Sequence, residues 1–479
     1  MKINGGGVHC GRIEAALLAG FALPLGALLA ALAWRSTLGL SINYNEGWNA
    51  YLATAAARGA LLYFPPGDLR ADTYPPVSFY AVAAAMRLVP DAVFAGRIIA
   101  WAAFIAVAAE ICAILRTLGG DRGAAWFGVL LFAGIMASQF PDYVGMDDPQ
   151  MLAHAVMCAG LLVLARGKTP LRAAAAAALM TAGLFIKHTL VAMPAAVALW
   201  LLIYDRRAAA AFIATGLACV VAGLAACLAS FGTDFIAGLG APRRVSLAIA
   251  HAKLRGWLMP LGVPLAFAAL SGMGTRRDPY AALFVLYAGA ALTVGAIAAA
   301  GDGVNVNAMF ELAIAVSLAA GHLLGRLGRA GVLGPGSVRL LVIAAAGLSL
   351  GLSAALSASG DVLRILPWLR AERNDEAAEA EAVRLIAAQP GPAVCQTLAL
   401  CYWAGKAFSV DTFSFAQAVL LGRRDESALA GPIERGEFGS VQALTAAGRP
   451  FPTPVTLAAL RQHYRTVPVA PFIGELFVP

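Results

Sequence analysis

Five short polar motifs hold most of the side chains of this chain that could do chemistry. Together they combine carboxylates, amides, a lysine and aromatic residues, and they cluster at the ends of long apolar segments. A carboxylate can take a proton from a hydroxyl group, and a cationic side chain can bind a phosphate. Their position at segment ends, instead of at mid-depth, predicts a reaction at a membrane surface. The motifs are NYNEGWNAY (43–51), TYPPVSFY (73–80), MDDPQ (146–150), IKHTL (186–190) and GDGVNVNAMFE (301–311).

The composition places these motifs in an integral membrane protein. Hydrophobic residues make up 60% of the chain and charged residues only 13%, with a mean hydropathy of +0.75. A soluble domain is about 25% charged. The net charge of +8 lies mostly in short loops, where it reports membrane topology. No pattern of basic and aromatic residues predicts a nucleic-acid partner.

Eleven apolar segments are long enough to be candidate spans, and the two on either side of Lys187 could merge into one kinked helix. Every predicted cytoplasmic loop carries at least two basic residues, from Lys2 and Arg12 in the first to Arg326, Arg329 and Arg339 in the last. By the positive-inside rule the N-terminus is cytoplasmic and the polar motifs lie outside. The candidate spans are 15–34, 93–115, 123–140, 149–165, 171–186, 189–203, 208–230, 257–273, 279–300, 309–325 and 338–358.

Glu46 is the first candidate proton acceptor. It lies among aromatic and amide side chains in the predicted outer loop 35–92, where a carboxylate could deprotonate a hydroxyl group and contact a sugar ring. The alternative is a solvated acid of a long loop. The loop exceeds a simple connector in length, and its stretch 76–90 is typical of a helix along the membrane interface.

Asp147 and Asp148 precede the fourth predicted span. Acidic residues stabilise helix N-termini, so this pair could serve as a cap. Two adjacent carboxylates could also bind an acceptor or a divalent cation, and capping does not exclude catalysis. A divalent cation is therefore the one cofactor that the sequence suggests, with no metal ligand assigned.

Lys187 and His188 interrupt an apolar stretch. A buried ammonium group is costly unless it is paired or solvated, so Lys187 either binds a lipid phosphate, with His188 beside it, or extends to the interface. Arg97 lies near the outer end of the second predicted span. Arg97 could likewise bind a phosphate, or it could form a structural ion pair.

Asn305, Asn307 and Glu311 open a later span. Asn307 and Glu311 are four residues apart and thus share one face of a helix. They could face a ligand, or they could form a helix cap and a buried polar pair.

A second predicted outer loop, 231–256, is basic although the positive-inside rule does not place basic residues there. It could trap a phosphate headgroup, or it could contact lipid headgroups in general. Its candidate ligands are Arg243, Arg244, Lys253 and Arg255.

After residue 358 the composition changes, which predicts a transmembrane domain over 1–358 and a soluble outer α/β domain over 359–479. Residues 370–389 are charged and helix-prone, and a strand-like run follows the Pro-Gly of PGPAVCQTLAL. Cys395 and Cys401 could form a disulfide if a turn separates them, because a straight strand would hold them ~20 Å apart.

This layout resembles the GT-C superfamily of integral membrane glycosyltransferases, over roughly residues 10–330. It is most similar to the branch of the protein O-mannosyltransferases and lipid A aminoarabinose transferases. Asn45-Glu46 lies where that branch has an Asp-Glu motif, and YPPVSFY (74–80), which begins with Tyr74, is similar to its Lys-Pro-Pro-Leu segment. Arg97 matches the arginine that opens the next span, and Asp147 or Asp148 matches a second acidic site.

The chain departs from the family pattern at two positions. Asn45 replaces the first acid of the Asp-Glu pair, and Thr73-Tyr74 replaces Glu-Lys of the aminoarabinose transferases. The usual phosphate-binding lysine is therefore missing. Lys187, Arg97 or the basic loop 231–256 could compensate for it.

The resemblance implies a polytopic all-α membrane protein with a small C-terminal α/β domain. It also implies transfer of a sugar from a polyprenyl-phosphate donor to a lipid, glycan or protein acceptor, at the periplasmic face of a bacterial inner membrane. Glu46 or an Asp of 147–148 would take the proton, and a single displacement would invert the anomeric centre. The alternatives are a flippase or transporter of lipid-linked sugars, with polar groups at mid-span, and a non-catalytic scaffold.

Overall fold

The computed structural model describes residues 5–273, 278–330, 335–356, 364–445 and 450–479. Lys2, Arg276, Arg277 and the predicted domain boundary at residue 358 lie outside these ranges. Within them, fifteen helices precede the C-terminal region. They are α1 Gly5–Arg35, α2 Asn45–Ala57, α3 Val77–Ala85, α4 Ala92–Thr117, α5 Arg122–Gln139, α6 Pro149–Ala165, α7 Pro170–Ile186, α8 Ala192–Tyr204, α9 Arg206–Phe231, α10 Asp234–Leu239, α11 Leu247–Leu258, α12 Gly262–Ser271, α13 Pro279–Ala299, α14 Phe310–Ala330 and α15 Pro335–Leu356.

Short polar side chains determine where several of these helices begin. Asp91, Asp121, Thr169 and Asp278 each accept hydrogen bonds from backbone amides in the first turn of the helix that follows. Such caps satisfy N–H groups that have no partner within the helix. In α6, α7 and α13 a proline occupies the first turn, where its missing N–H costs nothing.

The described chain is that of a multi-pass membrane protein. Six of its helical segments are long and apolar enough to cross a membrane, and four shorter apolar helices accompany them. The segment Val306–Gly328 is almost entirely buried inside the protein, so it forms the centre of the bundle. The number of eleven spans stays a prediction.

One predicted segment differs from the observed helices. The span predicted at 257–273 belongs to a longer helical segment, Leu247–Ser271, so the predicted outer loop 231–256 is largely helical.

The two segments predicted on either side of Lys187 are separate helices and do not merge into one kinked helix, because the chain leaves the helical conformation at Lys187. Lys187 therefore stands at a helix end, as the sequence predicts.

Ion pairs and hydrogen bonds show which helix ends lie together. Arg35 at the end of α1 contacts Asp142, which follows α5, at 2.9 Å. Lys187 after α7 contacts Asp148 before α6. At the opposite end of the bundle, Arg339 of α15 bonds both Glu14 of α1 and Asp121 before α5. The predicted outer motifs thus share one end of the bundle, which we call the outer end.

The C-terminal region is a small α/β domain, as the sequence predicts. It forms α16 Ile365–Ala388, β1 Ala393–Cys395, α17 Leu398–Trp403, α18 Thr412–Leu420, α19 Ser427–Glu434, β2 Ser440–Ala443, α20 Pro454–His463, β3 Arg465–Val467 and β4 Glu475–Val478. The strand order is β1-β2-β4-β3, with β1 and β2 parallel and the other pairs antiparallel. Val441 of β2 pairs with Val394 of β1 and with Phe477 of β4, and all three side chains are buried.

The run PGPAVCQTLAL is only partly a strand. β1 contains three residues, and the helix α17 begins at Leu398. This turn of the chain brings Cys395 and Cys401 together in a disulfide, with their Cα atoms 5.8 Å apart. The disulfide predicted for the case of a turn is therefore present.

The C-terminal domain packs against the outer end of the bundle. The Trp403 indole donates to Asp91 at 3.0 Å, and the Tyr51 hydroxyl donates to the Lys406 carbonyl at 2.8 Å. Gly47 of α2 lies so close to the backbone of Leu398 and Ala399 that a Cβ there would collide with it. These contacts close the space between α2 and the sheet.

Candidate active site

A cavity of about 380 Å³ lies between the outer end of the bundle and the C-terminal domain. Its volume is typical of a small-molecule site. Apolar residues such as Trp48, Val294 and Leu398 form part of its wall. The polar and charged residues that line it include Tyr44, Asn45, Tyr74, Gln150, Lys187, His188, Arg243, Asn305, Asn307, Glu311, Gln396 and Asp411.

Lys187 is the cation at the membrane side of the cavity. Its ammonium group lies 3.3 Å from Asp148, 3.4 Å from the Tyr74 hydroxyl and 4.6 Å from the centre of the Tyr74 ring. Asp148 also accepts from the Gln150 amide at 2.8 Å, so it caps α6 and pairs with Lys187 at once. Both Asp148 and Lys187 are buried, and their contact offsets the cost of placing the Lys187 ammonium group there.

Two polar side chains bridge α6 and the segment before α14. Gln150 donates to the Asn307 carbonyl at 2.6 Å, and Asn307 donates to the Gln150 side-chain oxygen at 2.8 Å. Asn307 lies in a short 3₁₀ turn, Val306–Met309, before α14 begins. This turn leads directly into α14, and Asn307 and Glu311 both line the cavity.

Glu311 combines a structural contact with access to the cavity. Its carboxylate accepts from the Met193 amide at 2.8 Å. Because no side chain within α8 caps that helix, Glu311 of α14 takes this role from outside. Only 4% of Glu311 is exposed, and it lines the cavity.

His188, Asn305 and Arg243 complete the predicted ligands that reach the cavity. His188 lies in the turn between α7 and α8, where burial lowers its pKa to about 4, so its imidazole is neutral at neutral pH. Its Nδ1 has no hydrogen-bond partner. Arg243 lies over the Phe413 ring, 5.4 Å from its centre, and its guanidinium has no carboxylate within 4.0 Å in the part of the chain described.

Arg97 does not reach the cavity. Its guanidinium has five N–H donors, and all five are used within the protein. They bond the carboxylate of Glu46 at 2.7 and 2.8 Å and the carbonyls of Ser36, Leu38 and Leu40. No donor remains for a lipid phosphate, so the structure shows the ion pair, which is the other predicted role.

Glu46 is equally occupied. A carboxylate has about four acceptor positions, and Glu46 accepts twice from Arg97, once from the Ile42 amide at 2.8 Å and once from the Asp147 amide at 3.1 Å. It is 0% exposed. The structure therefore places the predicted proton acceptor outside the cavity, where it holds the backbone around it.

Asp147 lies beside this ion pair and also outside the cavity. One of its carboxylate oxygens is buried without a hydrogen-bond partner. Burial, with Glu46 nearby, raises the pKa of Asp147 well above its usual range. A Cβ at Gly96 of α4 would collide with this carboxyl group, which shows how closely α4 packs against it.

Three of the four predicted basic ligands point away from the cavity. Arg244 is half-exposed and pairs with Asp302 at 3.0 Å. Lys253 donates to the carbonyls of Gly301 and Val304 at 2.9 and 2.7 Å, and Arg255 is exposed on α11. Arg244 precedes α11, whereas Lys253 and Arg255 lie on that helix, and none of the three lines the cavity.

The suggested divalent cation finds no cluster of ligands. Across the described residues no three His, Cys, Asp or Glu side chains come together to hold a metal ion. Asp148 already pairs with Lys187, and Asp147 bonds through its backbone to Glu46. The Asp147–Asp148 pair therefore does not fit a cation site.

Sequence reasoning missed several cavity residues. Gln150 lies within the motif MDDPQ, next to acidic residues that are the more obvious candidates for chemistry. Gln396, Asp411 and Phe413 come from the C-terminal domain, and no local pattern marks them. Asp411 caps α18 by accepting from the Phe413 and Ser414 amides, and burial raises its pKa.

No model of a protein family matches the sequence, and no curated protein matches it. Solved structures do match. ArnT from Cupriavidus metallidurans bound to undecaprenyl phosphate aligns with a TM-score of 0.65 and 15% identity, over 96% of this chain and 98% of that chain. The apo state of the same protein aligns with a TM-score of 0.62 and 16% identity, over 97% of both chains.

An oligosaccharyltransferase from Archaeoglobus fulgidus, tethered with an acceptor peptide, is also similar, with a TM-score of 0.48 and 10% identity. The two ArnT alignments extend over nearly the whole chain, including the C-terminal domain. The chain therefore has the fold of ArnT.

Proposed function

We propose that this protein is a glycosyltransferase that moves a sugar from a polyprenyl-phosphate donor to an acceptor hydroxyl group at the outer face of the membrane. The observation that carries this proposal is the cavity at the outer end of the bundle. It combines two cations, Lys187 and Arg243, with a carboxylate, Glu311. The ArnT structure of the same fold is bound to undecaprenyl phosphate.

Lys187 and Arg243 are suited to the donor phosphate. Lys187 stands at the ends of α7 and α8, where a phosphate at the head of a membrane-embedded prenyl chain would arrive. Its only carboxylate partner among the described residues, Asp148, lies at 3.3 Å, longer than a close charge-assisted bond. Both cations can therefore bind the phosphate and stabilise the charge that develops on it as the sugar leaves.

The transfer itself is a single displacement. The acceptor hydroxyl oxygen forms a bond to the anomeric carbon, the bond from that carbon to the phosphate oxygen breaks, and the polyprenyl phosphate leaves. The hydroxyl proton goes to Glu311, which reaches the cavity from the membrane side. This course inverts the anomeric centre. Product stereochemistry by NMR that shows retention would reject it.

Glu46 and Arg97 act in this proposal as positioning residues. Their buried ion pair holds the carbonyls of Ser36, Leu38 and Leu40 and the Asp147 amide. This arrangement fixes the start of α2, which presents Asn45 to the cavity.

The periplasmic face of a bacterial inner membrane is the proposed location of the site. The inner-end loops carry the basic residues that the positive-inside rule assigns to the cytoplasm. The Cys395–Cys401 disulfide of the C-terminal domain supports the same orientation, because disulfides persist mainly in oxidising compartments.

The proposal is tested by sugar transfer with purified protein and a synthetic undecaprenyl-phosphate sugar. Glu311→Gln should lower turnover by about 10²–10⁴-fold, which is the usual contribution of an acid–base group, while donor binding is kept. Asp411→Asn removes the other carboxylate that lines the cavity and should retain turnover. Movement of the donor across the membrane without sugar transfer would favour a flippase instead.

A further inference from the structure

A second cavity, of about 290 Å³, adjoins the first on its outer side. It lies between the loop 64–73, the segment 237–243 and the C-terminal domain from Phe413 to Arg424. Thr73, Arg243, Phe413 and Ser414 line both cavities. A ligand in the second cavity can therefore reach a ligand in the first.

Cations outnumber anions in this second cavity. Four arginines line it, against two carboxylates. One of the carboxylates, Asp68, is paired with Arg70 at 2.7 Å. The other, Asp72, is 1% exposed, so it presents almost no surface to a ligand, and burial raises its pKa well above the usual range.

Three arginines remain without a carboxylate. Arg424 donates to the Asp68 carbonyl at 2.7 Å, and Arg243 lies over the Phe413 ring. Neither of these two nor Arg423 has a carboxylate within 4.0 Å in the described ranges of the chain. Arginine is the side chain best suited to bind a carboxylate or phosphate with two parallel hydrogen bonds.

The position of this cavity separates it from the donor. Its lining residues belong to outer loops, to the short helix α10 and to the C-terminal domain, and none lies in one of the six long apolar segments. In the proposed function the prenyl chain enters from the membrane past Lys187, and the lining of the second cavity offers it no membrane-spanning surface. The group that meets the donor from the outer side is the acceptor.

We propose that the second cavity binds the acceptor, and that this acceptor is a saccharide with a phosphate or carboxylate group held by Arg423 and Arg424. The inference rests on the proposed function, because it needs a donor in the first cavity. A saccharide offers the hydroxyl group that the transfer requires and a ring face that can pack against Phe413. Arg243, at the junction, then lies between the two substrates.

Calorimetric titration of the full-length protein in phosphatidylcholine nanodiscs tests this proposal. The probes are glucose 6-phosphate, glucuronate, glucose and inorganic phosphate. Glucose 6-phosphate or glucuronate should bind the wild type, and Arg423→Gln/Arg424→Gln should weaken that binding about tenfold or more, since a hydrogen bond to a charged group contributes about 1.5–3 kcal/mol. Glucose should bind far more weakly. Arg435→Gln, at an exposed arginine of the same domain that pairs with Glu437, is the matched control and should bind like the wild type.

A titration with undecaprenyl phosphate distinguishes a failure of this proposal from a failure of the proposed function. The wild type, Arg423→Gln/Arg424→Gln and Arg435→Gln should bind this lipid with equal affinity. If the wild type binds undecaprenyl phosphate but neither glucose 6-phosphate nor glucuronate, the acceptor site is rejected and the proposed function is not. The same conclusion follows if Arg423→Gln/Arg424→Gln keeps the full affinity for the anionic saccharide. Equal affinity for inorganic phosphate and glucose 6-phosphate would also reject a saccharide site. Displacement of the sugar phosphate by phosphatidylglycerol in the nanodisc would assign the arginines to a lipid headgroup.

Discussion

At the scale of single residues, full occupancy of hydrogen-bonding groups distinguishes structural charges from those available to a ligand. Arg97 uses all five of its donors, and Glu46 uses its about four acceptor positions, within the protein. Lys187 has only long contacts, at 3.3 to 3.5 Å, and Arg243 has no carboxylate partner among the described residues. A residue type alone does not reveal this difference, because it depends on the partners that the fold supplies.

Removal of the Glu46 charge should cost stability. Glu46→Gln leaves the Arg97 guanidinium buried without a counter-charge, and breaking a buried ion pair in this way costs about 3–5 kcal/mol. The midpoint of thermal unfolding in one detergent measures the effect. Glu437→Gln breaks a pair with the same 2.7 Å separation whose side chains are 63% and 50% exposed. It should cost less than about 1 kcal/mol, and equal losses in the two variants would contradict the positioning role.

Removal of the Lys187 charge should weaken the binding of undecaprenyl phosphate. Because Lys187→Met alone would leave Asp148 buried and unpaired, the test uses Lys187→Met/Asp148→Asn. The dissociation constant should rise about tenfold or more, as expected for the loss of a charge-assisted hydrogen bond. Lys168→Met is the control, because Lys168 lies over the Trp200 ring at the inner end of the bundle. Unchanged affinity in the double variant would remove Lys187 from the donor site.

At the scale of elements, the segment 36–42 connects the bundle to the C-terminal domain. The carbonyls of Ser36, Leu38 and Leu40 accept from Arg97. The amides of three other residues in the segment donate to carboxylates. Gly39 donates to Glu376, Ser41 to Glu379 and Ile42 to Glu46.

Close packing of α2 on α17 gives a prediction for the interface between the two domains. Gly47→Ala places a methyl group against the backbone of Leu398 and Ala399, which cannot move as a flexible side chain would. Overpacking of this kind costs about 1–3 kcal/mol, so the midpoint of thermal unfolding should fall. Gly20→Ala in α1 meets nothing within 4 Å and should cause no loss. A Gly47→Ala variant as stable as the Gly20→Ala variant would show that the two domains do not pack as described.

Apolar runs and caps predicted many of the elements. The span predicted at 149–165 coincides with α6, because a capping aspartate and a proline mark its start. The start of the helix 247–271 was missed because Lys253 and Arg255 suggested a polar loop. Polar side chains on one face of a helix are compatible with a span when they find carbonyl partners, as Lys253 does.

At the scale of the whole molecule, the candidate site is built from segments far apart in the chain. The outer location of Lys187, Asn305, Asn307 and Glu311 could be predicted, because each lies at an apolar segment end whose side follows from the basic loops. The exclusion of Glu46 and Arg97 from the cavity could not be predicted, because it depends on the distance between these two side chains. The presence of Gln396 and Asp411 in the cavity wall could not be predicted either, since they reach the cavity only through docking of the C-terminal domain.

Glu379 of α16 is buried where this helix contacts Ser41. Its carboxyl group should make the free energy of unfolding depend on pH. Burial raises the pKa of Glu379 from 4.5 to about 7, so the folded protein binds a proton there that the unfolded chain releases. The contribution of this group to stability is full below pH 4.5 and is lost as the pH rises through about 7.

The difference in unfolding midpoint between Glu379→Gln and the wild type measures this effect. The variant should gain stability relative to the wild type between pH 4.5 and about 7, and the difference should be constant at higher pH. Glu381→Gln, on the exposed face of the same helix, should keep the wild-type profile. A constant difference across the whole range would refute a raised pKa for Glu379.

The most direct test of the central claim is a cryo-electron microscopy structure of the protein in nanodiscs with undecaprenyl phosphate. We predict a phosphate density within hydrogen-bonding distance of the Lys187 ammonium group in the first cavity, with the prenyl chain leading into the membrane. A phosphate bound elsewhere on the protein, with this cavity empty under saturating lipid, would contradict the account.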